Sequence, residues 1–123
     1  MKYVDGFVLP VPVKNVDAYR RMAQQASKVW KEHGALEYRE CVGDDLNVKM
    51  GLPFADTVKL KRGETVVFAW IVYKSRAHRD AVNAKVMKDP RLAKMMELMK
   101  DKKAQPFDHT RMAYGGFKVI VDA

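Results

Sequence analysis

A run of ten residues, Thr65–Lys74 (TVVFAWIVYK), constrains this chain more than any other. In a strand, successive side chains point to opposite faces. One face then carries Val66, Phe68, Trp70 and Val72, the other Val67, Ala69, Ile71 and Tyr73. Both are apolar, so the strand needs cover on two sides. Full burial of one such side chain is worth about 1.5–3 kcal/mol, which puts four of them at roughly 6–12 kcal/mol. A chain of 123 residues with few helices covers one sheet face. The other must meet a second sheet, a partner subunit or a ligand.

The elements around this strand follow from pattern and punctuation. Lys2–Val13 reads as a first strand, rich in Val, Phe and Tyr and closed by Pro10 and Pro12, with Asp5 interrupting its apolar face. Asn15 is the expected N-cap of a helix over Val16–His33. Its apolar stripe is Tyr19, Met22, Ala23, Ala26, Val29 and Trp30, and Gly34 stops it. Ala35–Asp45 alternates as a second strand with polar groups on both faces. Leu46–Ala55 carries turn signals at Gly51 and Pro53. Thr57–Lys61 reads as the short first arm of a hairpin that turns at Arg62-Gly63 into the opening strand.

Ser75 caps a helix over Arg76–Lys88, and Asp89-Pro90 breaks it and starts another over Arg91–Lys103. That helix places Leu92, Met95, Met96 and Met99 on one face. Arg111–Asp122 reads as the last strand, with Gly115-Gly116 predicting a bulge or close packing inside it. The order is β-α-β-β-α-β, the split βαβ or ferredoxin-like order, in an antiparallel α+β domain with helices on one sheet face. A single domain over residues 1–123 is expected from the length.

Charge and cysteine usage narrow the setting. Lys and Arg number 23 against 15 Asp and Glu, a formal charge of +8. The basic residues are spread along the chain rather than gathered, which favours solubility over nucleic-acid recognition. Cys41 is the lone cysteine, so no intrachain disulfide forms and a reducing cytoplasm is the expected compartment. No apolar run of signal-peptide or membrane-spanning length is present, and no membrane association is expected.

Four stretches resemble the YbaA-like family, a bacterial domain of unknown function: YVDGFVLPVP, VWKEHGALEYRECVGDD, ETVVFAWIVYKSRAHRDAVNAKVMKDPR and PFDHTRMAYGGF. The resemblance covers nearly the whole chain and is weakest over Leu46–Lys61. It implies the dimeric α/β-barrel superfamily, in which two ferredoxin-like sheets pack face to face as a homodimer. Relatives there include cofactor-free monooxygenases, isomerases and dehalogenases, haem-binding enzymes and stress-response proteins, so the resemblance carries no single activity.

GxGxxG, P-loop, CxxC, HExxH and GxSxG motifs are all absent, and neither a cofactor nor a metal is expected. His33, His78 and His109 are scattered without metal-ligand spacing. His33 stands as a candidate acid–base residue because its titration falls near neutrality. Asp5 and Glu40 are the sharper candidates. A carboxylate among Val, Phe, Leu and Ile must be answered by a partner. If strand faces coincide, Asp5, Glu40 and Tyr38 converge with Trp70 on one polar spot in an apolar cavity, with Phe68 and Tyr114 as further ligand-binding aromatics. The plain alternative is a salt bridge to Arg39, Arg111 or an arginine of a partner subunit. Cys41 reads as a small buried hydrophobe, and Met95, Met96 and Met99 as core filler.

Three functional readings follow. The first is a cytoplasmic homodimer that binds a small apolar molecule, with or without turnover. The second is an RNA-binding module, since Phe68–Tyr73 matches the aromatic half of an RNA-recognition strand. Its basic-glycine half is missing, because Val66-Val67 stands there. The third is a non-catalytic structural or stress-response dimer.

Overall fold

The computed structural model describes residues 1–123. Its centre is a pair of ten-residue antiparallel strands, β1 (Tyr3–Pro12) and β3 (Glu64–Tyr73), in register from Tyr3 opposite Tyr73 to Pro12 opposite Glu64. β2 (Glu37–Val42) adds to the far side of β3, and β4 (Ala113–Lys118) to the far side of β1. The sheet order is β2-β3-β1-β4, antiparallel throughout. Pro10 is tolerated in β1 because β4 pairing ends at Val8 and leaves one side of the strand free there.

Directly paired residues share a face, so the register sorts every side chain. Tyr3, Leu9 and Val11 of β1 and Val67, Ile71 and Tyr73 of β3 face the helices and supply the buried core. Helix α1 (Val16–Glu32) lies across them with Tyr19, Ala23 and Val29 buried, the stripe its periodicity predicts. Gly34, at φ 118°, carries the chain from its end in a conformation glycine adopts at little steric cost. Asn15 occupies the predicted N-cap position but makes no side-chain capping bond; its amide donates to the Pro106 carbonyl at 3.1 Å.

One correction concerns the expected hairpin arm. Pro53 instead opens the single-turn helix α2 (Phe54–Thr57), and residues 59–63 turn into β3 without pairing. Five alternating residues, Thr57–Lys61, are too few to hold an edge against a proline-initiated turn.

Helices α3 (Arg76–Met87) and α4 (Pro90–Met99) divide where expected. The Ser75 hydroxyl accepts from the His78 amide at 3.0 Å, and Asp89 accepts from the Arg91 amide at 2.9 Å with Pro90 at the first position. β4 starts later than its apolar pattern suggests, because Asp108 caps a 3-10 turn over His109–Arg111, and it ends at Lys118. Gly115 and Gly116 stay in register, so there is no bulge. Close packing explains Gly116, where a Cβ would collide with the Tyr3 ring and hydroxyl.

The core divides into two clusters. Tyr3, Ile71, Tyr73, Val82, Val86 and Leu92 belong to one; Leu9, Val11, Tyr19, Ala23 and Val67 make the other. Between them runs a row across the sheet, Glu40–Ala69–Phe7–Tyr114. Its central residue is only an alanine, which leaves room under the helices.

A candidate acid–base chamber

That room is a cavity of about 230 Å³ between sheet and helices. Phe7 and Ala69 line it from the sheet, Trp30 from α1, and Met95 and Met99 from α4. The three methionines expected as core filler therefore border a hollow, Met96 included. Glu40 enters from β2 as its carboxyl group. The Tyr19 hydroxyl donates to Glu40 Oε1 at 2.7 Å, and the Tyr38 hydroxyl donates to Oε2 at 2.9 Å. Burial raises the Glu40 carboxyl above the usual glutamate range, although both tyrosine bonds pull the other way. Burial and the Glu40 charge push both tyrosines upward, so their hydroxyls stay protonated donors.

An adjoining hollow of about 260 Å³ opens between α1 and the edge strand β2. It shares Tyr19, Ala23, Tyr38 and Glu40 with the chamber and is rimmed by Arg20, Gln24 and Ser27. Glu40 thus stands between an apolar interior and a polar mouth.

Asp5 lies on the same sheet face but in different company. It is 2% exposed, and Arg79 Nη1 donates to its Oδ1 at 2.8 Å. The Arg79 guanidinium lies 4.9 Å from the centre of the Tyr3 ring and also donates to the Tyr114 hydroxyl at 3.2 Å. Gly116 leaves the space Tyr3 needs to lie beneath that arginine. The arrangement is a buried, hydrogen-bonded ion pair, the structural answer a carboxylate in a core requires.

The expected single polar spot is therefore two. Asp5 shares a row with Ile71 and Tyr38, so it lies two strands from β2, roughly 10 Å at about 4.8 Å per strand. Trp70 joins neither group, because it pairs with Gly6 and Arg39 on the opposite face, where Phe68 also stands. Tyr114 packs on Phe7 at the β4 edge, ring centres 5.0 Å apart. His33 sits at the end of α1 with its Nε2 2.8 Å from Asp89, as part of the joint between α1 and α4. The arginines named as salt-bridge partners act elsewhere. Arg111 forks onto Glu64 at 2.6 and 3.0 Å, and Arg39 pairs with Glu37 at 3.7 Å. Tyr19 and Arg79 are the partners that strand-based reasoning missed. Both lie on helices, and only the helix-to-sheet packing brings them to their carboxylates.

The opposite face of the sheet is largely apolar. Val4, Val8, Phe68, Trp70 and Phe117 surround a shallow concavity of about 620 Å³ floored by Gly6 and Gly115. Phe68 is 42% exposed and Phe117 61%. Cys41 lies on this face opposite Phe68 and is exposed, against the expectation that it is buried. No three His, Cys, Asp or Glu side chains gather as a metal site. No helix is long and apolar enough to cross a membrane.

Element order and sheet order define the class, a ferredoxin-like α+β domain. Solved structures agree on the fold. A dimeric ferredoxin-like protein from an uncultured marine organism superposes with a TM-score of 0.58 at 16% identity, over 99% of this chain and 98% of that one. SnoaB, a cofactor-independent oxygenase from Streptomyces nogalater, gives 0.54 at 13% identity, over 98% and 95%. Within that class, the chain belongs to the family described as "Protein of unknown function (DUF1428)", whose family model matches residues 2–109. It is 48% identical over 122 residues to the uncharacterized protein YbaA of Escherichia coli, across 99% of each chain.

Proposed function

We propose that this protein is a single-domain cytoplasmic homodimer that binds a small, mostly apolar molecule in the chamber beneath α1 and α4, with Glu40 as its acid–base group. One observation carries the reading. Glu40 is a carboxyl group answered only by two tyrosine hydroxyls, on the wall of a cavity lined mostly by aromatic, methionine and aliphatic residues. Asp5, by contrast, is answered by the Arg79 guanidinium. Desolvation moves Glu40 toward the pH range in which a carboxyl group exchanges protons usefully.

Dimerisation is supported by the open sheet face. A patch that joins Val4, Val8, Phe68, Trp70 and Phe117 is too apolar to remain wet, and a two-fold copy of the same patch is self-complementary. The same composition argues against stacking RNA bases there, because such platforms mix aromatic with basic side chains. The lone cysteine fits a reducing compartment.

Thermal unfolding with a panel of small aromatic and alicyclic compounds tests the binding claim. A binder raises the midpoint in proportion to RT ln(1 + [L]/Kd), and Ala69→Leu, which fills the chamber, abolishes the shift. Shifts that survive Ala69→Leu, or none across the panel, would overturn the chamber as a binding site. Sedimentation equilibrium tests the assembly, where Trp70→Glu should give monomer or aggregate. A stable, soluble native monomer would sink the barrel.

A further inference from the structure

The hydrogen-bond inventory of the chamber is lopsided. The Tyr19 and Tyr38 protons are both committed to Glu40, and Trp30 Nε1 donates to Asn83 Oδ1 at 3.1 Å. Arg39 borders the chamber, but its side chain is directed to the other face, beside Glu37. The walls that remain are thioether and hydrocarbon. A carboxylate offers about four lone-pair sites, of which the two tyrosines occupy one on each oxygen. The chamber therefore has acceptor capacity to spare and no donor to spare. A carbonyl, carboxylate or phosphate inside the chamber would go unanswered, since Arg20 and Gln24 stand outside it at the mouth.

Among donors, an ammonium brings a full charge into an apolar space and needs three acceptors, more than Glu40 has left. A neutral hydroxyl needs one. Met95, Met99 and Met112, with Trp30 and Phe107, offer sulfur and ring edges that pack favourably on a flat aromatic ring. A volume of about 230 Å³ limits that ring system to a mono- or bicyclic one.

Building on the chamber reading above, we infer that the ligand is a small aromatic molecule with one weakly acidic hydroxyl, a phenol or naphthol, whose hydroxyl donates to Glu40 while the ring lies among the methionines. Charge-assisted bonds of this kind are roughly twice as strong as neutral ones, and they strengthen with the acidity of the donor. Glu40 also borders the polar mouth, so the hydroxyl is held at the boundary and the ring points inward.

Paired titrations at pH 8 with 2-naphthol and with naphthalene, its hydroxyl-free counterpart, followed by ligand fluorescence, test this. The native protein should hold 2-naphthol at least tenfold more tightly than naphthalene, and Glu40→Gln should erase most of that preference. Equal affinity for the two compounds would overturn the inference and leave the chamber intact as a binding site. Failure of both compounds to bind would remove the inference and count against the chamber as well. A preference that persists in a folded Glu40→Gln variant would also overturn it. Should that variant not fold, magnetisation transfer from bound 2-naphthol in the native protein decides the matter. Contacts to the Tyr38 ring and Met95 methyl support the assignment. Contacts to Phe68 and Phe117 on the open sheet face overturn it.

Discussion

Asp5 and Glu40 stand on the same face of the same sheet, two strands apart, and differ in what answers them. Asp5 meets the Arg79 guanidinium, held in place by the Tyr3 ring and the Tyr114 hydroxyl. Glu40 meets two neutral phenols beside a cavity. In the first case the buried carboxylate is paired and hydrogen-bonded with a cation, and the pair becomes part of the framework. In the second, desolvation is the largest influence and the carboxyl is held in a costly form. The contrast is between a carboxylate paired with a cation and one met only by neutral donors.

The largest test of that contrast is removal of one framework charge. Asp5→Asn leaves Arg79 without its buried partner and should lower stability by about 3–5 kcal/mol in denaturant unfolding. A loss below 1 kcal/mol would mean that Asp5 is not the anchor its geometry describes. Arg79→Lys keeps the charge but loses the planar group over Tyr3. The expected loss is roughly 1.5–3 kcal/mol, the scale of a hydrogen bond to a charged group. An unchanged unfolding midpoint would show that the planar fork is dispensable.

On the chamber side, Ala69→Leu should bring at most about 1 kcal/mol of stabilisation, as cavity filling commonly does. Ligand affinity should fall more than tenfold in the same variant. Destabilisation by several kcal/mol would indicate that the space cannot take the added methylenes.

The smallest effect is expected from Glu40→Gln, within about 1 kcal/mol of the native protein at neutral pH and with either sign. Its pH dependence is the sharper readout. The folded-state pKa of Glu40 lies above its unfolded value, so the folded protein holds the proton more tightly. Stability from that difference is fully present below the ordinary glutamate value of about 4.3 and is lost as pH rises through the folded value. Relative to the native protein, the Gln variant should therefore gain stability as pH climbs across that window. Parallel stability–pH curves would show that Glu40 titrates as an ordinary carboxyl group.

Much of the fold was legible in local pattern. Period-2 alternation placed the core strands, the 3.6-residue stripe of Tyr19, Ala23 and Val29 placed α1, and Ser75 and Asp89-Pro90 marked helix starts that the structure keeps. Local pattern failed where a short segment had competing uses. Thr57–Lys61 alternates like a strand, yet Pro53 upstream opens a helical turn instead. Asn15 takes the N-cap position its pattern predicts, but its side chain makes no capping bond and donates to the Pro106 carbonyl across 91 residues of sequence.

The site was half legible. That Asp5 and Glu40 need partners follows from the company they keep in their strands, and Tyr38 shares parity with Glu40 within β2. Which face of β2 aligns with which face of β1 depends on register, and a slip of one residue turns every side chain over. Register alone put Trp70 on the far side.

By itself, then, the sequence determined the element order, the two apolar faces of β3 and the presence of carboxylates that had to be answered. All of these rest on residue chemistry and on periodicity within a few neighbours. Tertiary structure decided the answers, by bringing Arg79 to Asp5 across 74 positions and Tyr19 to Glu40 across 21. It also made Ala69 a gap rather than a contact, because the size of a cavity depends on what lies opposite the small residue. Such pairings are set by how helices lie on a sheet, and that geometry is fixed only when the whole core packs.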